Sequence, residues 1–396
     1  MVKPTSKQYL LIWLSVFSLL LASMMSLNWL MDPFHLFQTD SVTKSAEGFL
    51  RESKPWQIVE RKPDVVLIGN SRNFYATDVS QMTATHAYNF SLRGANIGAL
   101  SVAFEHARYH AKPRRVLLAV DSICDAPANG NMDFFSSNTQ QEIEAHFKRW
   151  TYLSSFSTLK KSIKLIVDST SKSQLLYNEL GQRTEYPYSQ YGKLLSQRVD
   201  KKESEKIKRL PSIPRSNNGQ GCRTTVLEKI LLNAYESNIE LILFFNPLHL
   251  RYVEIDYLSK GVILNEKVKR KAVELVHQVA SDLGKEPFTI WDFLIVNEIT
   301  AELFGSPDAA EAQYWWEPSH HKPVVSDRML AVMSSVNKDT SIGVSIDLNN
   351  FEAHALEQRQ SYLNWRTQYP SSSLEIAAKL AEAGAFFHRH KEPIAK

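Results

Sequence analysis

The sequence predicts an α/β fold, a three-layer α/β/α sandwich with a mostly parallel sheet, preceded by one transmembrane helix. Three observations predict it. An uncharged apolar run occupies residues 9–31, short apolar runs recur further along the chain, and segments with helical spacing separate these runs. Continuous apolar runs bounded by turn residues are typical of strands buried on both faces of a parallel sheet, and the intervening helices cover those faces.

The N-terminal run is long enough to cross a membrane. Residues 9–31 read YLLIWLSVFSLLLASMMSLNWLM, and as a helix they extend ~34 Å, against ~30 Å for a hydrocarbon core. Lys3 and Lys7 precede the run and Asp32 follows it, so the positive-inside rule predicts residues 1–8 in the cytoplasm and the remainder outside. A cleaved signal peptide has a shorter apolar core and an A-x-A site, and a buried core helix fits an uncharged N-terminal run poorly. The sequence therefore favours a single-pass anchor in the inner (cytoplasmic) membrane with a periplasmic domain.

The predicted domain covers residues 64–344 and is joined to the anchor by residues 32–63, which are polar and mixed and predicted to form a connector and a first helix. Its strands are predicted at residues 64–70, 86–91, 115–121, 240–246 and 288–292, where apolar runs end in turn residues. Its helices are predicted at residues 97–111, 224–237, 265–283 and 323–336. Strands that alternate with helices indicate a mostly parallel sheet.

Two regions are predicted to lie outside this alternating core. An insertion around residues 130–222 is amphipathic and predicted helical over residues 130–180, and then contains the charge run DKKESEKIKR followed by Pro, Asn and Gly residues. Such a run is typical of a solvated loop, which we predict for residues 200–221. Residues 345–396 are amphipathic and charged, and are predicted to form a helical C-terminal tail.

Composition excludes several classes of protein. Hydrophobic residues make up 43% of the chain and charged residues 22%, which excludes wholesale disorder. The net charge of +4, from 46 basic and 42 acidic residues, is too small for the dense basic face of a nucleic-acid-binding protein. Cys124 and Cys222 are too few for a disulfide scaffold or a four-cysteine zinc site. They can form one bridge or remain two thiols.

Chemically useful side chains follow the predicted strands. In open parallel sheets, sites form beyond the carboxyl ends of the strands. Ser71 follows the first strand, Gly94 follows the second, and Glu317 precedes His320 by three residues just before the last helix. A serine hydroxyl becomes a nucleophile when a histidine takes its proton, and an acid orients that histidine. The N–H groups of Ser71 and of the Gly94 loop are candidate donors to an oxyanion.

Four further residues are candidates for substrate binding. Arg72 and Arg93 can bind an anionic group, or can be solvated or paired with Asp121. Trp316, beside Trp315, can stack on a sugar ring or pack in the core. Asp121 itself follows the third predicted strand and therefore lies at the same edge of the sheet.

Metal and cofactor sites are not predicted. His320-His321 and the His388-x-His390 pair are histidines of a kind that occurs in metal sites. Neither pair has cysteines or a second carboxylate cluster nearby, so we predict no metal ion and no cofactor.

The motifs together resemble a known family. The turn Gly69-Asn70-Ser71, the segment from Asn89 to Gly94, and Glu317-Pro-Ser-His320 resemble the blocks of the SGNH (GDSL-like) hydrolase superfamily. The resemblance is strongest to its membrane-anchored, exported branch, which includes proteins similar to the alginate O-acetylation factors and the D-alanyl-transfer protein of teichoic acids. It extends from Asp64 to about Val336, with a gap across the insertion.

The resemblance implies an SGNH/flavodoxin-like fold and a role for each motif residue. Ser71 would be the nucleophile, His320 the base and Glu317 the orienting acid. Gly94 would donate to the oxyanion. The third block of the family usually carries an asparagine donor, whose place Asp121 takes here, and Asn96 is the substitute donor.

The implied function is that of an extracytoplasmic acyltransferase or esterase. It would act on O-acyl groups, chiefly acetyl, of a cell-envelope polysaccharide, with a membrane-embedded acyl-donor protein as a further partner, the membrane contacted through residues 9–31, and no nucleic acid. The alternative is a catalytically silent scaffold or carbohydrate-binding subunit of an envelope-polymer assembly. Asp121 favours this alternative, because a carboxylate repels an oxyanion. The enzyme requires His320 within hydrogen-bond reach of Ser71.

Overall fold

The computed structural model describes residues 5–38, 42–43, 48–82, 86–167, 175–210, 221–305, 311–334 and 341–384. The helices are α1 Ser6–Met31, α2 Leu50–Arg61, α3 Ser71–Ala76, α4 Ile97–His110, α5 Thr139–Leu153, α6 Phe156–Val167, α7 Tyr188–Tyr191, α8 Leu195–Arg209, α9 Thr225–Glu236, α10 Leu250–Lys260, α11 Glu266–Asp282, α12 Pro323–Met333, α13 Phe351–Gln368 and α14 Pro370–Glu382. The strands are β1 Val42–Thr43, β2 Val65–Ile68, β3 Ala87–Asn89, β4 Arg115–Ala119, β5 Leu175–Tyr177, β6 Glu240–Phe245, β7 Thr289–Asp292, β8 Trp315–Glu317, β9 His320–His321 and β10 Val344–Ile346.

The central sheet has six strands in the order β10-β7-β6-β4-β2-β3. All neighbours pair in parallel except β10, which lies antiparallel to β7 at one edge. The prediction of an α/β fold with a mostly parallel sheet is confirmed, and each of the five predicted strands is present with slightly shorter bounds. Counted along the chain, the parallel strands occupy the order 2-1-3-4-5, so the direction of winding reverses between β2 and β4.

Both faces of the sheet are apolar, which explains the continuous apolar runs in the sequence. All four residues of β2 are buried. Val66 and Ile68 enter one apolar cluster, to which α4, α9 and α11 contribute. Val65 and Leu67 enter a second cluster, to which α12 contributes. Side chains of a strand alternate between the two faces, so a strand covered by helices on both faces needs apolar residues at every position.

The segment before the first sheet strand is fastened to the domain by a buried lysine. Lys54 of α2 has no exposed surface, and its ammonium group donates to the carbonyl oxygens of Asn89 (2.7 Å), Ser91 (3.0 Å) and Gly181 (2.8 Å). It also lies over the ring of Phe74, 4.5 Å from the centroid. Burial holds the pKa of Lys54 well below its usual range. Helix α2 thus lies within the predicted connector yet contacts both β3 and the insertion.

The prediction of a loop over the charge run is wrong, because residues 195–209 form α8. The buried positions of α8 recur at helical spacing: Leu195, Arg198, Val199, Lys202, Glu203 and Ile207. Glu203 is fully buried and pairs with Arg251 at 2.7 Å and with Lys379 at 2.9 Å. Some of the charged side chains of α8 therefore form ion pairs with other helices instead of being solvated. Residues 211–220 of the predicted loop lie outside the described residues.

The helical tail is present over α13 and α14. Helix α14 packs on α10, α8 and α13, and α13 packs on α11. Residues 385–396, which include His388 and His390, lie outside the described residues. The boundaries drawn between connector, domain and tail stay predictions.

Cys124 and Cys222 form a disulfide. Cys124 follows β4 and Cys222 precedes α9, so the bond joins the two ends of the insertion across a sequence separation of 98 residues. A cross-link restricts the unfolded chain most when the loop it closes is long.

Replacing both cysteines with serine is expected to lower the free energy of unfolding by about 5 kcal/mol, the loss of chain restriction for a loop of this size. Denaturant unfolding of the full chain measures it, and the wild-type protein unfolded under reducing conditions is the matched control. An unfolding midpoint unchanged in both samples would contradict the stabilising role of the bond.

Helix α1 is long and apolar enough to cross a membrane or to act as a signal sequence. Its most apolar window has a mean hydropathy of 2.2 and is not buried against the rest of the protein. Thr5 caps its N-terminus, accepting from Gln8 N–H while the Gln8 side chain accepts from Thr5 N–H. The described part of the chain therefore contains the apolar helix that the sequence predicts.

Candidate active site

Ser71 lies at the point where the sheet reverses its winding. It is the first residue of α3, immediately after β2. Asn70 caps this helix, because its side-chain oxygen accepts from Arg72 N–H at 3.0 Å. The preceding Gly69 is required by close packing, since a Cβ there would lie 2.2 Å from Asn73 Oδ1. The turn thus places the serine beyond the carboxyl end of β2, between β2 and β4, where open α/β sheets bind ligands.

The structure brings Ser71, His320 and Glu317 into one hydrogen-bonded chain. Ser71 Oγ lies 2.8 Å from His320 Nε2. His320 Nδ1 is bonded to Glu317 Oε1 on the opposite side of the ring. Glu317 is fully buried and His320 is 6% exposed. A hydroxyl, an imidazole and a carboxylate in this order have the geometry of a nucleophile, a base and an orienting acid.

A tight hairpin holds the acid beside the base. Strands β8 and β9 pair Glu317 directly with His320, with Pro318 and Ser319 in the turn between them. Ser319 donates to Glu317 from its N–H (2.7 Å) and from its hydroxyl (3.0 Å). The Tyr186 hydroxyl donates to Glu317 Oε1 at 3.2 Å. Sequence reasoning did not identify Ser319 or Tyr186 as partners of Glu317. The position of Ser319 inside the Glu-x-x-His motif was an available signal for Ser319, and no signal indicated Tyr186.

Burial and charge act on the pKa values of both partners. Burial lowers the pKa of His320, and the neighbouring Glu317 carboxylate opposes this shift without cancelling it. Burial raises the pKa of Glu317, but attraction to His320 and Lys202 and the hydrogen bond from Ser319 N–H outweigh burial and hold it below its usual range. At neutral pH the pair therefore consists of a neutral imidazole and a carboxylate, which is the state a general base needs.

The neighbouring His321 has a different role. Its Nε2 lies 2.9 Å from Ser326 Oγ, and burial lowers its pKa to about 3. It is paired within the core, behind the hairpin, so His320 is the histidine that faces Ser71.

The Asp121 carboxylate is paired with a cation and accepts several hydrogen bonds. It forms an ion pair with Arg72 at 2.7 Å. It also accepts from Asn70 Nδ2 at 2.6 Å and from Asn246 through its N–H (2.8 Å) and side-chain amide (2.9 Å). Arg72 in turn donates to the Ser319 carbonyl at 3.0 Å. The sequence left open whether Arg72 binds an anion, is solvated or pairs with Asp121, and in the structure it pairs with Asp121. Through its two bonds, Arg72 connects the end of β4 to the β8–β9 hairpin.

Arg72→Leu is expected to lower kcat for ester turnover by about tenfold, because it leaves an unpaired carboxylate beside the site where an oxyanion would form. Arg72→Leu with Asp121→Asn is expected to recover most of this loss, since the second change removes the charge. Steady-state kinetics of both variants, with their thermal midpoints, tests the coupling. A double variant no more active than the single one would contradict it.

A cavity of about 600 Å³ opens over the triad. Ser71 and His320 line it together with Arg93 and Gly94. Gly94 has a φ of +64°, a backbone conformation that favours glycine. Helices α7, α8 and α10 supply the facing wall with Tyr191, Lys202, Glu205, Arg209 and Tyr252. The structure therefore places Gly94 and Arg93 at the site, as the sequence predicts.

Asn96 and Trp316 do not line this cavity, and neither does Asp121. Asn96 caps α4, accepting from Ala99 N–H at 3.0 Å, and donates to the Pro127 carbonyl at 2.8 Å. It is absent from the cavity wall, and both of its side-chain groups are bonded elsewhere, so its role as an oxyanion donor stays a prediction without structural support. Trp316 stacks on Tyr186 at 5.3 Å and packs behind the triad, so it supports the hairpin and does not line the cavity.

The cavity wall from α8 is the main feature that sequence reasoning missed. Lys202 pairs with Glu205 at 3.2 Å and lies over the ring of Tyr191 at 3.8 Å. Its charge contributes to the lowered pKa of Glu317. The apolar residues Val199, just before the charge run, and Ile207, within it, were the available signal for a helix here.

Comparison of the chain with protein-family models, with curated proteins and with solved structures gives no match. The family resemblance therefore depends on the sequence motifs alone.

Proposed function

We propose that this protein is a membrane-anchored, extracytoplasmic acyltransferase or esterase of the SGNH type. The observation that carries the proposal is the hydrogen-bonded chain from Ser71 through His320 to Glu317, at the floor of a cavity. Ser71 and His320 are 249 positions apart in the sequence. A scaffold has no need of such an arrangement, whereas nucleophilic acyl transfer requires it.

The reaction follows from the positions of these atoms. Ser71 Oγ attacks the carbonyl carbon of the acyl ester while its proton passes to His320 Nε2. Glu317 holds the imidazole in place and stabilises the imidazolium that forms. The N–H groups of Ser71 and Gly94 hold the oxyanion. His320 then gives the proton to the departing alcohol, which leaves the acyl group on Ser71.

The second half of the reaction repeats these steps with an acceptor. His320 takes a proton from water or from a sugar hydroxyl, whose oxygen attacks the acyl group on Ser71. The ester bond to Ser71 breaks, and the proton returns to Ser71 Oγ. With water the outcome is hydrolysis, and with a sugar hydroxyl it is transfer.

The silent-scaffold alternative is favoured by Asp121, which stands where the family usually carries an asparagine. The ion pair with Arg72 and the donors of Asn70 and Asn246 reduce the repulsion that Asp121 would exert on an oxyanion. This supports the enzyme over the scaffold.

The finer description of the fold is part of the proposal. A strand order of 2-1-3-4-5, with apolar clusters on both faces of the sheet, supports a three-layer α/β/α sandwich of SGNH/flavodoxin-like topology. The reversal of winding beside Ser71 is consistent with the site position expected for such a sheet.

The proposed location is the periplasmic side of the inner membrane, with α1 as the single anchor. The charges flanking α1 support this orientation. The disulfide supports it independently, because such bonds persist in oxidising compartments. The proposed substrate is an O-acyl group, chiefly acetyl, on an envelope polysaccharide, with a membrane-embedded protein as acyl donor.

The test uses the full chain in detergent micelles with a chromogenic acetyl ester, with and without a polysaccharide acceptor. Release of the chromophore, or appearance of acetyl groups on the acceptor, is expected. A folded protein that gives neither product with any acceptor would contradict the enzyme and favour the scaffold.

A further inference from the structure

Apart from α1, exposed large apolar side chains concentrate on α5 and α6. Among them are Phe147 and Trp150 on α5 and Phe156, Ile163, Ile166 and Val167 on α6. Phe147, Phe156 and Val167 are each more than 70% exposed. Exposed apolar side chains gathered on two helices that pack against each other mark a site of interaction. We call this surface the α5–α6 apolar face.

Helix α6 buries polar residues and exposes apolar ones, although Ser157, Lys160 and Lys164 are exposed as well. Thr158 and Ser162 are buried against the protein, while Ile163, Ile166 and Val167 face outward. A surface helix in water turns its apolar stripe inward and its polar residues outward. The outward-facing apolar residues suit a helix whose outer surroundings are apolar.

The α5–α6 apolar face is joined to α1 by a buried asparagine. Asn28 of α1 is 1% exposed, donates to the Leu153 carbonyl at the end of α5 (2.7 Å), and accepts from the Ser162 hydroxyl on α6 (2.9 Å). A polar bond of this kind, shielded from water, fixes the helices against one another.

The contact with α1 extends over the last part of that helix. The partly buried positions of α1 are Leu21, Met24, Met25, Leu27 and Met31. From Leu21 to Met31 the helix rises ~15 Å, which is about half of a hydrocarbon core of ~30 Å. Helices that lie beside this part of a spanning helix lie at the depth of one leaflet.

We propose that the α5–α6 apolar face is inserted in the outward-facing leaflet of the membrane that α1 spans. The inference rests on the anchoring of α1 given in the proposed function and goes beyond it, since a single anchor does not require the domain to touch lipid. Continuity with the lipid-exposed surface of α1 favours lipid as the occupant. Lys160 and Lys164, both exposed on α6, are placed to meet anionic headgroups.

The experiment measures lipid contact directly and does not depend on turnover. The full chain carrying Phe147→Cys or Ile163→Cys, with the native disulfide intact, is labelled with an environment-sensitive fluorophore. It is then reconstituted in vesicles of phosphatidylethanolamine and phosphatidylglycerol that contain acyl-chain nitroxide lipids. The matched control is Leu356→Cys, an exposed leucine on α13, which packs on α11 and α14. Nitroxide lipids are expected to quench the labels at 147 and 163 at least about twofold and to leave the control unchanged.

Two outcomes would overturn the proposal. One is that the labels at 147 and 163 are unquenched and as reachable by aqueous iodide as the control. The other is that they are shielded in native membranes but not in pure lipid vesicles, which would assign the face to a membrane protein. Ile166→Glu with Val167→Glu, both at exposed positions, provides a second measurement: it is expected to abolish quenching at 147 while the protein stays in the vesicle through α1.

Discussion

Ser71→Ala is expected to lower kcat for ester turnover by about 10⁴-fold or more, as in serine hydrolases that lose the nucleophile. In the proposed mechanism, the substitution removes the atom that attacks the acyl carbonyl and carries the acyl group. It leaves the N–H donors and the cavity in place, so residual activity above that of water is expected. Alanine is a good helix former at the first position of α3, so the thermal midpoint is expected to stay within about 2 °C of the wild-type value.

Ser80→Ala is the matched control, because Ser80 is an exposed serine outside the cavity. It is expected to retain full activity in the chromogenic ester assay. Wild-type turnover by a folded Ser71→Ala protein would remove the serine from the mechanism and, with it, the principal support for the proposed function.

Glu317→Gln is expected to lower kcat by about 10⁴-fold, the effect of the equivalent amide substitution in other Ser-His-acid triads. Among the described residues, His320, Ser319 and Tyr186 are the hydrogen-bond partners of the Glu317 carboxylate, and all three donate to it. A glutamine amide presents N–H groups toward some of these donors, which leaves buried donors without an acceptor. It also removes the negative charge that stabilises the imidazolium.

The pH profile distinguishes this role from a purely structural one. The proposed mechanism requires neutral His320, whose pKa is lowered from its usual value of 6.5 by burial, so kcat/KM is expected to rise with pH along a limb centred below pH 6.5. The Glu317 carboxylate raises the pKa of His320. Glu317→Gln is therefore expected to move this limb to lower pH as well as to lower its plateau. Glu298→Gln, which breaks an exposed ion pair with Arg328, is the control and should change neither. An unshifted limb with wild-type kcat would contradict the assignment.

The strands and the three triad residues could be predicted because local sequence determines them. A strand covered on both faces is apolar at each position, as in residues 65–68. Parallel strands end at one edge, so side chains that follow them converge whatever their separation in sequence. The spacing of Glu317 and His320 places both at one hairpin, and this required no knowledge of the rest of the fold.

The cavity wall and the partners of the triad could not be predicted, because they depend on contacts between distant segments. Helix α8 was not predicted because its sequence is highly charged. Buried ion pairs, such as that between Glu203 and Arg251, compensate this charge in the structure. The Arg72–Asp121 pair depends on the adjacency of β2 and β4. Asn96 illustrates the limit of position alone, since its place after a strand predicted an active-site role and its side chain caps a helix in the structure.

The disulfide determines how the insertion is attached to the sheet. The bond between Cys124 and Cys222 holds the two ends of the insertion together. Cys124 follows β4, and Cys222 precedes α9, the helix that leads to β6. The segment between them contains α5 and α6 as well as α8, so the lipid-facing surface proposed above and one wall of the cavity belong to the same covalently closed unit. Because β4 and β6 are adjacent in the sheet, this unit leaves and rejoins the sheet at neighbouring strands. It is not independent of the sheet, since Tyr186 within it donates to Glu317 and the Gly181 carbonyl within it accepts from Lys54. A displacement of this unit would therefore be felt by the carboxylate that holds His320.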